Sequence, residues 1–331
     1  MNKNHPMVGY ENINITETDN GSIANNLGDA ISTQRHIVAS ARPFHINKSH
    51  QINGQYMKSG IYADAFFYDL SAIFPKGEAF MIKTMAWWRD KMPADQLPDI
   101  ANFIEQEAGH SREHIAMNKL IQNAGFNLSN SDKNVESVVK RAAALSPRGR
   151  LLAVVCLEHM TAIMAAEMIK NPQHVENFSA EFRDFWLWHA VEEVDHKSVV
   201  FDAWRYSVRD KSETWQYLTR CSMMLLISIS FVINRTRGQL SLLKQHDIGK
   251  IKGFFGMMRY GLRKGGLARN ILPHWKLFFH RGFHPSQIND RHLLEKGEKL
   301  IAASLQTKSF NKAKPKNRAK KPVKIFAAKA A

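Results

Sequence analysis

Two copies of one short pattern carry most of the chemistry this chain can offer: Glu107-Ala-Gly-His110 and Glu193-Val-Asp-His196 are the only Glu-x-x-His sequences in 331 residues. On a helix, a carboxylate and an imidazole three residues apart lie about 60° from one another on one face, placed to bind one ion or two adjacent ions. One such pair alone is an ordinary solvated helix face. Two pairs on separate helices form half of a bundle dimetal site, which also takes one Glu from each of two further helices. Glu78 and Glu158 are those residues. Glu158 sits in LLAVVCLEHMTAIMAA, where nearly every neighbour is apolar. A lone buried carboxylate costs several kcal/mol, on the order of what desolvation takes from any buried ion, and a shared dication offsets that cost.

His189, four residues before Glu193 and seven before His196, shares their face and is an optional seventh ligand. The metal set is therefore Glu78, Glu107, His110, Glu158, His189, Glu193 and His196. Four carboxylates and two or three imidazoles suit two divalent ions, iron first and manganese second, and not a thiolate-rich structural zinc site. Cys156 and Cys221 are far from ligand spacing and read as small buried hydrophobes. His114 repeats the spacing of His189 on the other motif and reads as a supporting or exposed residue. His159, turned about 100° from Glu158, reads as structural. Glu192 and Asp195 are expected to pair with Arg205 or Lys197 in preference to orienting ligands, and Glu105 and Glu113 to form a solvated acidic face. For Trp87, Trp88, Trp186 and Trp188 core packing is preferred to the lining of a substrate channel.

Positioning these donors requires helices. Between Phe66 and Arg209, apolar residues recur at three- and four-residue spacing and alternation is almost absent. The punctuation predicts helices from after Pro75 to about 91, from 98 to 123 ahead of Gly125, from Pro147 behind the Ser146 cap to 169, and from 175 to 208. A fifth begins after Ser212 and runs to about 243, with shorter glycine-separated helices beyond. The fold class expected is all-α, a ferritin-like four-helix bundle with additional C-terminal helices. Residues 1–35 read as a flexible tail, 36–300 as the helical dimetal domain and 301–331 as a basic flexible tail.

Composition narrows the partners. The net charge of +16 is confined to one end: residues 1–234 carry 23 basic and 26 acidic side chains, and residues 235–331 carry 23 basic and four acidic. The metal-site region is nearly neutral, so high basicity does not mark it as a nucleic-acid enzyme. Two cysteines cannot form a disulfide scaffold, and the first residues lack the basic-then-apolar pattern of an export signal, so a cytoplasmic location is expected. The longest apolar run, Cys221 to Ile233, is shorter than the roughly 20 residues that span a bilayer. It reads as a buried helix or as a segment lying on a membrane surface.

The stretch FFYDLSAIFPKGEAFMIKTM at 66–85, with Leu-Ser-x-x-Phe-Pro-x-Gly-Glu leading into Glu78, resembles the bacterial family of predicted metal-dependent hydrolases. EQEAGHSREH at 105–114, HAVEEVDHK at 189–197 and FHRGFHPSQ at 279–287 extend the likeness over roughly residues 35–294. The ligand pattern is similar to that of ferritin-like dimetal proteins, and His-x-x-x-Glu-x-x-His is similar to the last ligand helix of di-iron arylamine N-oxygenases. The resemblance implies a fold and a metal site more than a reaction, and the long basic C-terminus departs from it.

Three functions compete. One is O2-dependent oxidation of a small organic or lipophilic substrate, modestly favoured because four carboxylates nearly neutralise two dications and so weaken water activation. The second is metal-dependent hydrolysis through a bound water. The third is a helical binding protein, using residues 235–331 to contact an anionic membrane or nucleic acid. Assembly into a homo-oligomer is compatible with each.

Overall fold

The computed structural model describes residues 38–50, 52 and 60–313, and among these it contains helices and no strand. The helices are α1 (Ile61–Arg89), α2 (Leu97–Asn123), α3 (Ser129–Ala143), α4 (Pro147–Lys170), α5 (Ala180–His196), α6 (Val199–Ser207), α7 (Glu213–Lys244), α8 (Lys250–Leu262), α9 (Leu267–Leu277) and α10 (Arg291–Ala313). The all-α class read from the sequence is the class observed. The expected tail over 1–35, and residues 314–331 of the basic tail, lie outside the described residues. Helix α10 continues through residues 301–313, beyond the boundary expected at 300.

Local signals explain most boundaries. Ser146, Ser179 and Ser212 each accept a hydrogen bond from a backbone N–H three residues on, opening α4, α5 and α7. Gly125, at φ 98°, supplies the left-handed turn that ends α2. Three elements differ from expectation. Helix α1 starts at Ile61 and carries Pro75 in its interior, because the turns on both sides bury Phe67, Leu70, Phe74 and Glu78 and outweigh the lost backbone bond. The fourth predicted helix is interrupted at 197–198, giving α5 and α6. Helix α3 is an extra, mostly polar surface helix with only Ser131 and Val135 buried among its residues.

Helices α1 and α2 pack along one another, as do α4 and α5; α1 also meets α4, and α2 meets α5. The buried apolar side chains fall into two groups. One contains Phe67, Leu70 and Phe74 of α1 with Met117 and Ile121 of α2, Met164 of α4 and Phe185 of α5. The other contains Phe80 and Met85 of α1 with Ile100 and Phe103 of α2 and Leu151 and Val155 of α4. Along α1, α2 and α4 the switch between groups falls around Glu78, around Glu107 and His110, and one turn past Glu158. Four helices thus bring their acidic residues to a waist between two apolar cores, buried from bulk solvent.

Candidate metal centre

All seven side chains of the predicted metal set meet at this waist, each no more than 2 % exposed. Helix α1 brings Glu78, α2 brings Glu107 and His110, α4 brings Glu158, and α5 brings His189, Glu193 and His196. His110 Nδ1 lies 3.7 Å from Glu107 Oε1 and 3.6 Å from Glu193 Oε1. His196 Nε2 lies 3.4 Å from Glu107 Oε1, and its Nδ1 lies 3.2 Å from Glu158 Oε2. Two ligands of one ion, each about 2.1 Å from it, stand roughly 3.0–3.4 Å apart at octahedral or tetrahedral angles. The spacing is close to that of shared ligation.

The hydrogen-bond inventory points the same way. Both oxygens of Glu78, Glu107 and Glu158, Glu193 Oε2, His110 Nδ1 and both nitrogens of His196 are buried without a hydrogen-bond partner. Orphaned polar atoms at this density are rare in a protein interior, and here they converge on one another. One group of four, Glu107, His110, Glu193 and His196, has ligand atoms all within 4.8 Å of one another, and Glu78, His110 and His189 form a second. The donor set fits divalent cations.

The atoms that do have partners fix the imidazoles. His110 Nε2 is 2.9 Å from Glu192 Oε2, so Nε2 carries a proton and Nδ1 is the nitrogen that faces the cluster. His189 Nδ1 is 2.8 Å from His114 Nε2, His114 Nδ1 is 2.9 Å from Ser71 Oγ, and Ser71 donates to Asn118 Oδ1. Read as one chain of donors, this leaves His189 Nε2 unprotonated and 2.8 Å from Glu193 Oε1. Two acceptors facing one another need a proton or a metal ion between them.

Electrostatics describe a site with an excess of negative charge. Burial, reinforced by the nearby Glu107 carboxylate, holds Glu78 well above the usual carboxylate range. Burial also pushes Glu158 up to about 8, against the pull of His196. Burial lowers an imidazole, yet Glu158, Glu193 and Glu107 outweigh it at His196, which is raised to about 9. At Glu193 burial is overcome by His189, His196 and His110, and the carboxyl is pushed down to about 2. Burial and the neighbouring His110 take His189 down to about 4. Bound protons and bound cations are alternative ways of meeting one charge deficit.

Several supporting residues sit differently from the sequence reading. Glu192 and Asp195 pair with neither Arg205 nor Lys197. The backbone N–H of Arg42 donates to Glu192, and Asp195 accepts from Ala39 N and from the Arg42 guanidinium at 3.2 Å. Glu113 is buried, where it accepts from Ile46 N and Arg112; Glu105 is exposed as expected. The cause is a strap, residues 38–49, lying across α2 and α5, whose orphan backbone groups these acids satisfy. Trp188 Nε1 donates to Arg42 O beneath it. Nothing in the strap's composition announces this role. His114 is fully buried and supports His189. His159 lies apart, 3.3 Å from the His274 carbonyl and against Phe278 and Phe283. Trp88, Trp186 and Trp188 are core residues, whereas Trp87 is exposed beneath Lys91.

A family model described as "Predicted metal-dependent hydrolase" matches residues 40–289. No curated protein matches the chain, and no solved structure does.

Proposed function

The chain belongs to the family of predicted metal-dependent hydrolases, and from that premise we propose that it is a dimetal carboxylate enzyme that oxidises a lipophilic organic substrate with O2. The observation carrying this reading is the convergence of four carboxylates and three imidazoles, with orphaned donor atoms, in a dry interior. Two helices that each give a Glu and two that each give Glu-x-x-His make up the donor complement of ferritin-like bundle sites, which supports this reading. Glu78, Glu107, His110, Glu158, His189, Glu193 and His196 would hold two ions, iron in preference to manganese. When bound, an iron pair in such a carboxylate cage supplies the electrons that activate O2. The protein's share is placement: Glu192 orients His110, the His114–Ser71–Asn118 chain keeps the His189 proton on Nδ1, and Phe74, Phe103 and Trp188 exclude water.

Hydrolysis with the same ligands is the second reading, and the family description favours it. Elemental analysis of purified protein, paired with O2 uptake after anaerobic reduction, separates the two. The oxidative reading expects about two ions per chain, mainly iron, with O2 consumed; turnover of generic esters or phosphoesters without O2 would replace it by hydrolysis.

A further observation bears on location. Helix α7 is long and apolar enough to cross a membrane, yet Met224, Arg235, Gly238 and Leu242 pack its inner side on the body. Its outer side exposes Leu218, Leu225, Leu226, Ile229, Val232 and Ile233, one stripe at helical spacing. Ile251 and Phe255 of α8 are 77 % and 66 % exposed, and Trp275 of α9 donates to Ser228 of α7 at 2.9 Å, so the three helices share one region. Between Asp247 and Asp290 there are eight basic residues and no acidic one. Apolar stripes interleaved with positive charge suit an anionic lipid surface better than nucleic acid, and this supports the reading of a cytoplasmic enzyme peripheral to the inner face of the membrane. The full chain should co-sediment with phosphatidylglycerol vesicles and not with phosphatidylcholine. Leu226→Asp/Ile229→Asp should weaken this by at least about tenfold. Vesicle binding unchanged by that pair, or a dimer of the native chain dissociated by it in light scattering, would give the stripe to a homo-oligomer interface.

A further inference from the structure

Beside the metal centre lies a cavity of about 110 Å³ bounded by α1, α3, α4 and α7. Its lining is mostly apolar, with Leu70 and Phe74 of α1, Val138 of α3, Leu157 of α4, and Ile227 and Phe231 of α7. The polar groups that reach it include Arg235, whose charge is already met by a buried ion pair with Asp69. Glu78 also lines it, and both Glu78 oxygens lack a hydrogen-bond partner. Glu78 therefore belongs at once to the cavity wall and to the cluster of donors.

We propose that this cavity is the substrate chamber of the centre, and that it takes the unbranched alkyl chain of a single-chain amphiphile with the reacting carbon at Glu78. The inference rests on the metal-centre reading for its chemistry and on the cavity alone for its ligand class. A volume about a quarter below the roughly 150 Å³ of an apolar cavity that takes up the six carbons of benzene admits the terminal few carbons of one unbranched chain and excludes a ring system, and because the cavity is open on one side the rest of the chain and its polar end lie outside it. Apart from Glu78, which belongs to the donor cluster, the charge in this wall is Arg235, already paired with Asp69, so a charged headgroup finds no partner here and must stay outside. The chamber also backs onto the exposed apolar stripe: Ile227 and Phe231 line it on turns of α7 whose outer side exposes Leu226, Ile229 and Val232. Helix α3, half-buried over the chamber and contributing no metal donor, is its outer cover.

Calorimetric titration of the full-length, metal-loaded protein with 1-decanol tests the proposal, with cyclododecanol as the bulky control. One decanol should bind per chain with a negative heat-capacity change, and cyclododecanol at least about tenfold more weakly. Val138→Trp and, independently, Ala142→Phe fill the chamber from α3 and should abolish decanol binding with metal content unaltered. Leu226→Asp/Ile229→Asp should leave decanol binding intact in detergent-free solution, because it alters only the outer surface. Equal affinity for both alcohols, or native-like decanol binding in the two filled variants, overturns the chamber. Decanol binding that behaves as expected in a protein holding no metal overturns the metal-centre reading and leaves the chain-binding site standing.

Discussion

Glu107→Gln protein should purify with no more than one metal ion per chain where the proposed centre would give the native chain about two, and Glu193→Ala should do the same. Glu107 Oε1 stands between two imidazoles from different helices, 3.7 Å from His110 Nδ1 and 3.4 Å from His196 Nε2. Glu193 Oε1 is placed likewise, 3.6 Å from His110 Nδ1 and 2.8 Å from His189 Nε2. An amide at position 107 keeps the volume and removes the charge, so packing survives while the carboxylate that joins the two histidine arms is lost. Glu105→Gln, exposed two residues earlier on α2, is the matched control and should keep the native metal content. Elemental analysis of the three proteins, each refolded with excess iron and desalted, gives the answer directly. Two ions retained in both Glu107→Gln and Glu193→Ala would remove these residues from the centre.

The same experiment probes how the interior tolerates its acids. Six buried carboxylates, the four of the metal set with Glu192 and Asp195, share a region whose fixed positive charge among the described residues comes from imidazoles and, at the edge, Arg42. Removing one of them relieves desolvation and electrostatic repulsion when no cation is bound. Glu107→Gln protein in chelator should therefore melt no lower than native protein in chelator, even though it melts lower in the presence of iron.

The donors were legible in the sequence because helical spacing is a short-range property. Glu-x-x-His fixes two ligands on one face whatever surrounds them, and an acid in an apolar stretch such as that around Glu158 signals burial before any partner is known. What was not legible depends on long-range packing. Glu113, Glu192 and Asp195 look like surface acids by composition. They are buried because the strap at 38–49, up to 156 positions away in sequence, brings backbone N–H groups to them. The onset of α1 was hidden by Pro75, whose local cost is overridden by the burial of the turns on either side. Helix α3 was hidden by its polarity, since its role is to cover a cavity and not to fill a core. The interruption after His196 leaves no mark in the spacing of residues 175–208, which continues as one apolar pattern.

Arg235→Met should destabilise the protein by about 3–5 kcal/mol at neutral pH, the cost of leaving one partner of a buried ion pair uncompensated. Arg235 and Asp69 are 4 % and 1 % exposed, and the guanidinium also donates to the Phe66 carbonyl at 2.7 Å, tying α7 to α1. Gly238, one turn along α7, leaves room for the Asp69 carboxylate; a Cβ there would overlap it. The effect carries a pH signature. Burial raises Asp69 from 3.8 to about 6 even with Arg235 beside it. As pH rises from 3.8 to 6 the unfolded chain releases this proton before the native chain does, so native stability falls; above 6 both are ionised and the dependence ends. Without the guanidinium the native carboxyl keeps its proton to higher pH, and the loss continues at about 1.36 kcal/mol per pH unit. The gap between native and Arg235→Met stability should thus widen by up to about 2.7 kcal/mol between pH 6 and 8. Asp69→Asn/Arg235→Met removes the orphaned acid and should be more stable than the single variant at pH 8, with a flat profile. Urea titrations of the three proteins at pH 6 and 8 measure all of this. A gap that does not grow with pH would mean that Asp69 is not the group left uncompensated.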